Sequence, residues 1–252
     1  FSSIAETLQK RIHSSHVNFE KYLKNPNVNN MFIFPTNFTE VYNLICNLKN
    51  GKATGPNSIP TVILKQLNSQ ISIVLTKLFN LSFSTGIFPD ILKISSVLPL
   101  YKKDSKLLCE NYRPISLLSN ISKLLEKLMY SRLYNFLNIF NCLSEFQFGF
   151  RAKHSTSHAL ISITERIREA LDSGNFAGGI FIDLQKAFDT VDHDILVSKL
   201  EYYGVRGLVK NWFSSYLKNR QQYVSINGYK SSLNTIKFGV PQGSVLGPLL
   251  FL

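Results

Sequence analysis

Cysteine is scarce: Cys46, Cys109 and Cys142 are the three in 252 residues, far apart and without a C-x-x-C spacing. So odd and sparse a set excludes a disulfide framework and a zinc site of paired ligands, and it points to reduced thiols inside a cell. Long hydrophobic runs are missing too. No stretch of about 18 uninterrupted apolar residues occurs, so neither a transmembrane helix nor a membrane partner is expected. The opening "FSSIAETLQKRIHSSH" is polar and mixed in charge, unlike a secretory segment. There is no internal repeat and no low-complexity tract, and 13 Gly with 9 Pro is ordinary usage. The expected compartment is therefore intracellular, nucleus or cytoplasm or both. There the patterns Asn37-Phe-Thr39 and Asn120-Ile-Ser122 carry no weight as glycosylation sites. The chain starts at Phe1 and stops inside the apolar run "GPLLFL", so a piece of a longer protein is expected.

Acids are the other shortage. Sixteen Asp and Glu stand against 28 Lys and Arg, a net charge of +12. They are also unevenly placed. Residues 155–204 hold 8 acids and 4 bases, whereas residues 205–252 hold 6 bases and no acid. Basic surface concentrates polyanions such as nucleic acid, although it also simply keeps a protein soluble. An acidic island between basic flanks suits a divalent cation held against phosphates.

With 44% hydrophobic residues the chain can bury a sizeable core, in one large or two small domains. Residues 1–35 read as helical before a break at "KNPNVNN". A helix begins at Thr36 or Asn37 and is stopped by Gly51, and the Gly/Pro loop "GKATGP" follows. That loop lacks the Gly-Lys-Ser/Thr order of a phosphate loop. "TVILKQLNSQISIVLTKLFNLSFSTG" predicts two core helices, and "KISSVLPLYKKD" a strand entering a basic turn. "SKLLEKLMYSRLYNFLN" and "STSHALISITERIREALDSG" predict amphipathic helices. "GGIFIDL" predicts a short buried strand, and two further helices cover "DHDILVSKLEYYG" and "GLVKNWFSSYLKN". Asn227-Gly228 marks a hairpin, and "VPQGSVLGPLLFL" a loop opening a helix. Helices with a small antiparallel sheet make the fold class α+β.

Four places could carry chemistry. Asp183, at the end of the predicted strand, either starts a turn or aims a carboxylate at the sheet edge, where it needs a cation or donors. Phe188 stands five residues on, close enough to pack beside whatever Asp183 holds. Asp189, Asp192 and Asp194 read more simply as helix N-terminal acids favoured by the dipole. Lys102, Lys103 and Arg113 could grip a triphosphate, or could be solvated surface charge. In "GVPQGSVLGP", Gln242 and Gly243 could approach a ligand closely, or form a plain turn before a helix. His154 and His158 lack a third ligand and read as surface or capping residues.

Taken together and in this order, the blocks resemble the reverse transcriptases of non-LTR (LINE-type) retrotransposons, from "LKNGKATGPNSIPTVILK" to Leu252. "YKKDSKLLCENYRPISLLSNISKLLEKL" resembles the fingers block. Lys102, Lys103 and Arg113 fall at its triphosphate-binding positions, with Tyr101 a departure from the Pro common there. "LSEFQFGFRAKHSTSHAL" resembles the connecting block, which puts Arg151 toward template or primer. "FIDLQKAFDTVDHDIL" resembles the first palm motif. The resemblance makes Asp183 a metal-binding aspartate, the Leu184 carbonyl a further ligand, and Phe188 a steric gate against a 2′-hydroxyl. "GVPQGSVLGPLLFL" resembles the block whose Gln242, with Gly243, lies by the incoming nucleotide.

The resemblance implies a right-hand polymerase: an N-terminal helical extension (1–35), a fingers-like region (36–175) and a partial palm (176–252). It implies an RNA-directed DNA polymerase with RNA template, DNA primer and deoxynucleoside triphosphates, and two Mg²⁺ ions, for which Mn²⁺ could substitute. Two other readings stand beside it. One is a catalytically dead remnant that only binds nucleic acid; the other is a related class such as an intron maturase or viral RNA polymerase, which the "FIDLQKAFD" wording fits less well. The family's second metal motif, ending in Asp-Asp, and its thumb have no counterpart in these 252 residues. Residues 1–252 by themselves are therefore expected not to extend a primer on an RNA template. An extension assay checks this: product that Asp183→Ala abolishes would overturn it.

Overall fold

Apolar residues at helical spacing set the core before any strand is reached. The computed structural model describes residues 7–8, 19–23, 26–51 and 53–252. Helix α1 (Phe38–Cys46) starts where the Asn37 side chain accepts a hydrogen bond from the Glu40 N–H. Helices α2 (Thr61–Gln66) and α3 (Asn68–Thr85) follow, and α3 ends on Gly86 in the left-handed region. Strand β1 (Ile94–Tyr101) pairs antiparallel with β2 (Tyr112–Leu117), which leads into α4 (Asn120–Ile139). Helix α5 (Thr156–Asp172), α6 (His193–Tyr202) and α7 (Gly207–Leu217) complete the long helices. Strands β3 (Arg220–Ile226), β4 (Tyr229–Lys230) and β5 (Asn234–Ile236) precede the short helix α8 (Gly247–Phe251).

The helices pack around Trp212 of α7, which is fully buried. Its ring stacks on Tyr216 and meets Phe88 edge-on, and its Nε1–H donates to the Ser82 hydroxyl at 3.0 Å. An indole is stably buried only when its polar hydrogen finds an acceptor, and here α3 supplies one. The extended segment 27–31 is stitched to the end of α6 through Asn27 N–H to Tyr202 O and Met31 N–H to Gly204 O. Gly204 cannot be replaced without moving that segment, since a Cβ there would lie 2.2 Å from the Asn29 carbonyl oxygen.

The sheet runs β2-β1-β3-β4, with β5 also on β3. β1 and β3 are parallel, Val97 opposite Val224, and so are joined across the whole intervening chain. The sheet therefore spans the division expected at residues 175 and 176. β3 turns into β4 through Asn227-Gly228, both at positive φ, as a two-residue hairpin requires. The class is α+β as predicted, with a parallel pair inside an otherwise antiparallel sheet.

Two expectations need correction or qualification. The segment 178–184 is not a buried strand. It is irregular, with Ile180, Phe181 and Ile182 82–95% exposed. Its backbone finds no ladder partner among the described residues, and a strand without a neighbour is not stable in water. The helical reading of 1–35 lies mostly outside the described residues; within them Thr7 and Leu8 are helical and Phe19–Tyr22 form a 3-10 turn.

Under the sheet a carboxylate is sealed from water. Glu126 of α4 is 0% exposed and accepts from the N–H groups of Val245 (2.7 Å) and Leu246 (3.1 Å) and from the Ser122 hydroxyl. Desolvation pushes its carboxyl above the ordinary range, while the charge of Arg220 and the three hydrogen bonds pull the other way. Replacing Glu126 by Ala is expected to cost about 3–5 kcal/mol, because two amides and the Ser122 hydroxyl lose their acceptor together. Glu126→Gln, which keeps an acceptor, is expected to cost less. Urea denaturation of the three proteins checks the order.

Candidate functional site

Three of the blocks singled out in the sequence are joined directly by hydrogen bonds. The turn 185–191 of "DLQKAFDTV" is the hub. On one side the Lys186 ammonium donates to the carbonyls of Glu110 (3.0 Å) and Tyr112 (3.2 Å), at the start of β2. On the other, Gly239 N–H donates to Val191 O and Val240 N–H to Phe188 O. The loop closes back on β2, where Ser116 N–H reaches Gln242 O at 2.6 Å. Glycine is required at both contacts. A Cβ on Gly239 would lie 2.8 Å from the Asp189 backbone, and one on Gly243 2.7 Å from Ser116 O. Both glycines also have positive φ.

Asp189 sits inside this assembly. Its carboxylate accepts from Gln242 Nε2 at 2.9 and 3.0 Å, and Gly239 packs on its backbone. Burial raises its carboxyl above the ordinary range, against the Gln242 hydrogen bond and the Lys186 charge. A small pocket opens beside it, lined by Ser116, Asp189, Arg220, Gln222, Phe238 and Gln242 among others. Arg220 is 1% exposed, with Nη1 on the Tyr216 carbonyl and its guanidinium over the Tyr216 ring. Its Nη2 has no hydrogen-bond partner among the described residues.

Phe188 is half-buried between Phe251, stacked at 4.8 Å, and Phe150, edge-on at 5.8 Å. The turn that carries it is thus packed on α8 and on the loop after α4. Lys102 and Lys103 lie exposed just past the end of β1, and exposed Arg113 opposes Leu100 in the register, so all three share one end of the β1–β2 pair. Among the described residues Lys103 makes a single long contact, 3.9 Å to Asp104. Arg151 is half-buried, with Nη1 on the Ser144 carbonyl.

Asp183 and Leu184 stand apart. Both are exposed, and Asp183 makes no hydrogen bond or ion pair among the described residues. No group of three Asp, Glu, His or Cys suited to a metal occurs among the described residues. The Asp183 carboxylate and the Leu184 carbonyl are oxygen donors of the kind Mg²⁺ prefers, but two donors do not make its octahedral shell. These two oxygens would be part of a metal's shell and do not complete one among the described residues.

The remaining candidates resolve in different ways. Asp192 caps α6, accepting from the N–H groups of Asp194 and Ile195, and Asp194 lies in the first turn. Asp189 corrects its reading as a helix N-terminal acid: it precedes the cap by three residues and serves the Gln-Gly loop. His154 and His158 flank the Ser155 cap of α5, their rings in edge contact, away from other ligating groups. Glu126, Asp189, His193 and Arg220 were not singled out as site residues. A single carboxylate within an apolar helix face, the Glu in "SKLLEKL", was the one available signal for Glu126.

Comparison with known proteins supplies the family. The chain belongs to the reverse transcriptase (RNA-dependent DNA polymerase) family, whose model matches residues 100–252. It is 35% identical over 233 residues to the RNA-directed DNA polymerase from mobile element jockey of Drosophila melanogaster, covering 92% of this chain and 25% of that protein. Similarity extends to the probable polymerases of transposon BS (36% over 229 residues, 87% of this chain, 24% of that protein) and of the X-element (35% over 229 residues, 88% and 24%), both of the same fly. The chain thus spans about a quarter of the length of these relatives. The match to non-LTR elements agrees with the resemblance drawn from the motifs.

His193 gives the assembly a pH signature. Its Nε2 lies 2.7 Å from Gly239 O, and burial holds its pKa below the ordinary 6.5. The proton is then bound more readily by the unfolded chain, so stability from neutral His193 is present above about 6.5 and lost as pH falls through its lower folded value. The hydrogen bond to Gly239 opposes this shift, as do Asp192 and Asp194, and Arg220 adds to it. The stability gap between the unsubstituted protein and His193→Gln is expected to narrow on acidification through that range. Urea midpoints at matched pH values check it.

Proposed function

We propose that this chain forms the fingers and part of the palm of a non-LTR retrotransposon's RNA-directed DNA polymerase, in the right-hand arrangement. Residues 36–175 would be the fingers-like region and 176–252 the partial palm. The observation that carries the reading is the direct hydrogen bonding of three blocks, 110–116, 185–191 and 239–243, inside the region that matches the family. Such blocks are far apart in sequence, and an incoming nucleotide touching all three would be read by all three at once.

In this reading the substrates are a deoxynucleoside triphosphate and an RNA template with a DNA primer. The primer 3′-hydroxyl attacks the α-phosphate and displaces pyrophosphate. Lys102, Lys103 and Arg113 neutralise the triphosphate; their exposure at one end of β1–β2 supports this, since Arg offers a two-pronged fork and Lys a point charge. Phe188 bars a 2′-hydroxyl by shape. Its clamping between Phe150 and Phe251 suits a gate, because a gate discriminates only if it cannot yield. Gln242 and Gly243 face the nucleotide, and Arg151 the template or primer. Mg²⁺ would be the metal, with Asp183 and the Leu184 carbonyl among its donors.

Phe188→Val or Phe188→Ala is expected to raise ribonucleotide use about tenfold or more in an extension-competent polymerase containing residues 1–252. Single-nucleotide extension with dNTP and rNTP in parallel measures it. Unchanged discrimination would remove Phe188 from the gate. Duplex binding by residues 1–252, weakening with salt, together with no extension by any longer protein containing them, would favour the remnant that only binds nucleic acid.

A further inference from the structure

The bond from Gln242 to Asp189 fixes more than a loop. A side-chain amide can present either its carbonyl or its NH₂ group to a neighbour, but an ionised carboxylate can only accept. Both Asp189 oxygens lie within 3.0 Å of Gln242 Nε2, so the amide has one chemically permitted orientation. Its Oε1 takes no hydrogen bond among the described residues. The backbones on either side are held independently, through Val240 N–H to Phe188 O and Ser116 N–H to Gln242 O. The side-chain bond is therefore not what docks the loop. It selects which end of the amide is free.

We infer that Asp189 is a positioning residue for Gln242, locking the amide so that Oε1 stays free as an acceptor for a donor group, a hydroxyl or an amino group, on the bound nucleotide or template. The inference rests on the proposed place of Gln242 at the nucleotide, but the lock itself does not. Asp189→Asn is the discriminating substitution. Asn can either accept from Nε2 or donate to Oε1, so the contact survives while the orientation is released. Asp189→Glu keeps an acceptor-only partner and tests rescue.

The first readout is the Gln242 side-chain amide in ¹H–¹⁵N spectra of residues 1–252. One hydrogen-bonded, exchange-protected proton is expected in the unsubstituted protein, and loss of that protection in Asp189→Asn with an unchanged melting temperature. An amide signal indifferent to Asp189→Asn overturns the lock. The second readout is extension by a competent polymerase containing this chain. There Asp189→Asn is expected to raise KM for the deoxynucleotide about three- to tenfold, the worth of one hydrogen bond, with kcat less affected. Asp189→Glu should recover part of that. An unchanged KM, with the amide signal altered, overturns the role at the nucleotide. Failure of the unsubstituted protein to extend counts against the polymerase reading alone, since the amide spectra judge the lock without it.

Discussion

Removing a carboxyl from water is costly unless hydrogen-bond donors surround it, and Glu126 meets that condition with the backbone of another segment. The donors are the amides of Val245 and Leu246, which open α8 and have no earlier turn to pair with. One side chain thus ties the longest helix of the core to the Gln-Gly loop. Because α8 carries Phe251 and the loop carries Gln242, the contacts that clamp Phe188 and Asp189 follow from the same bond. Arg220 lies within the field of this carboxylate, on the first residue of β3. The helical layer and the sheet are in this way referenced to one buried charge.

The charge asymmetry of the sequence has a structural counterpart. Acids of the segment 155–204 divide into exposed ones, helix caps and one enclosed carboxylate, Asp189. The basic end of the β1–β2 pair stays open to solvent. Lys186 connects the two regions: its ammonium reaches the carbonyls beside Arg113 while its own turn carries Asp189. A cation used in this way neutralises no acid by contact; it orients backbone dipoles.

Much of this was legible in the sequence, and the divide is physical. Local rules succeeded: Asn227-Gly228 made the hairpin, the Asp192 cap opened α6, and the apolar spacing of α3, α4 and α7 gave helices. In the "GKATGP" loop, Gly55 packs so tightly on Leu117 that no side chain fits. The motif order gave the family. What failed depends on partners distant in the chain. "GGIFIDL" has the composition of a buried strand, but composition cannot supply a neighbouring edge. Asp189 looked like one more acid near a helix start, because its partner lies 53 residues away. The parallel pairing of β1 with β3 was invisible for the same reason.

That parallel pairing also shapes how the chain emerges from a ribosome. β1 and β2 are near neighbours in sequence and can close as soon as both are made. The opposite edge of β1 must wait for β3, since Val97 meets Val224, a separation of 224 − 97 = 127 residues. At about 5–20 residues per second, that edge stands open for roughly 6–25 seconds of synthesis, with unpaired N–H and C=O groups along Ile94–Val97. During this interval an open edge can recruit another chain. Ser95 and Ser96, polar residues within that stretch, make it a poorer template for such pairing than the apolar run that follows from Val97.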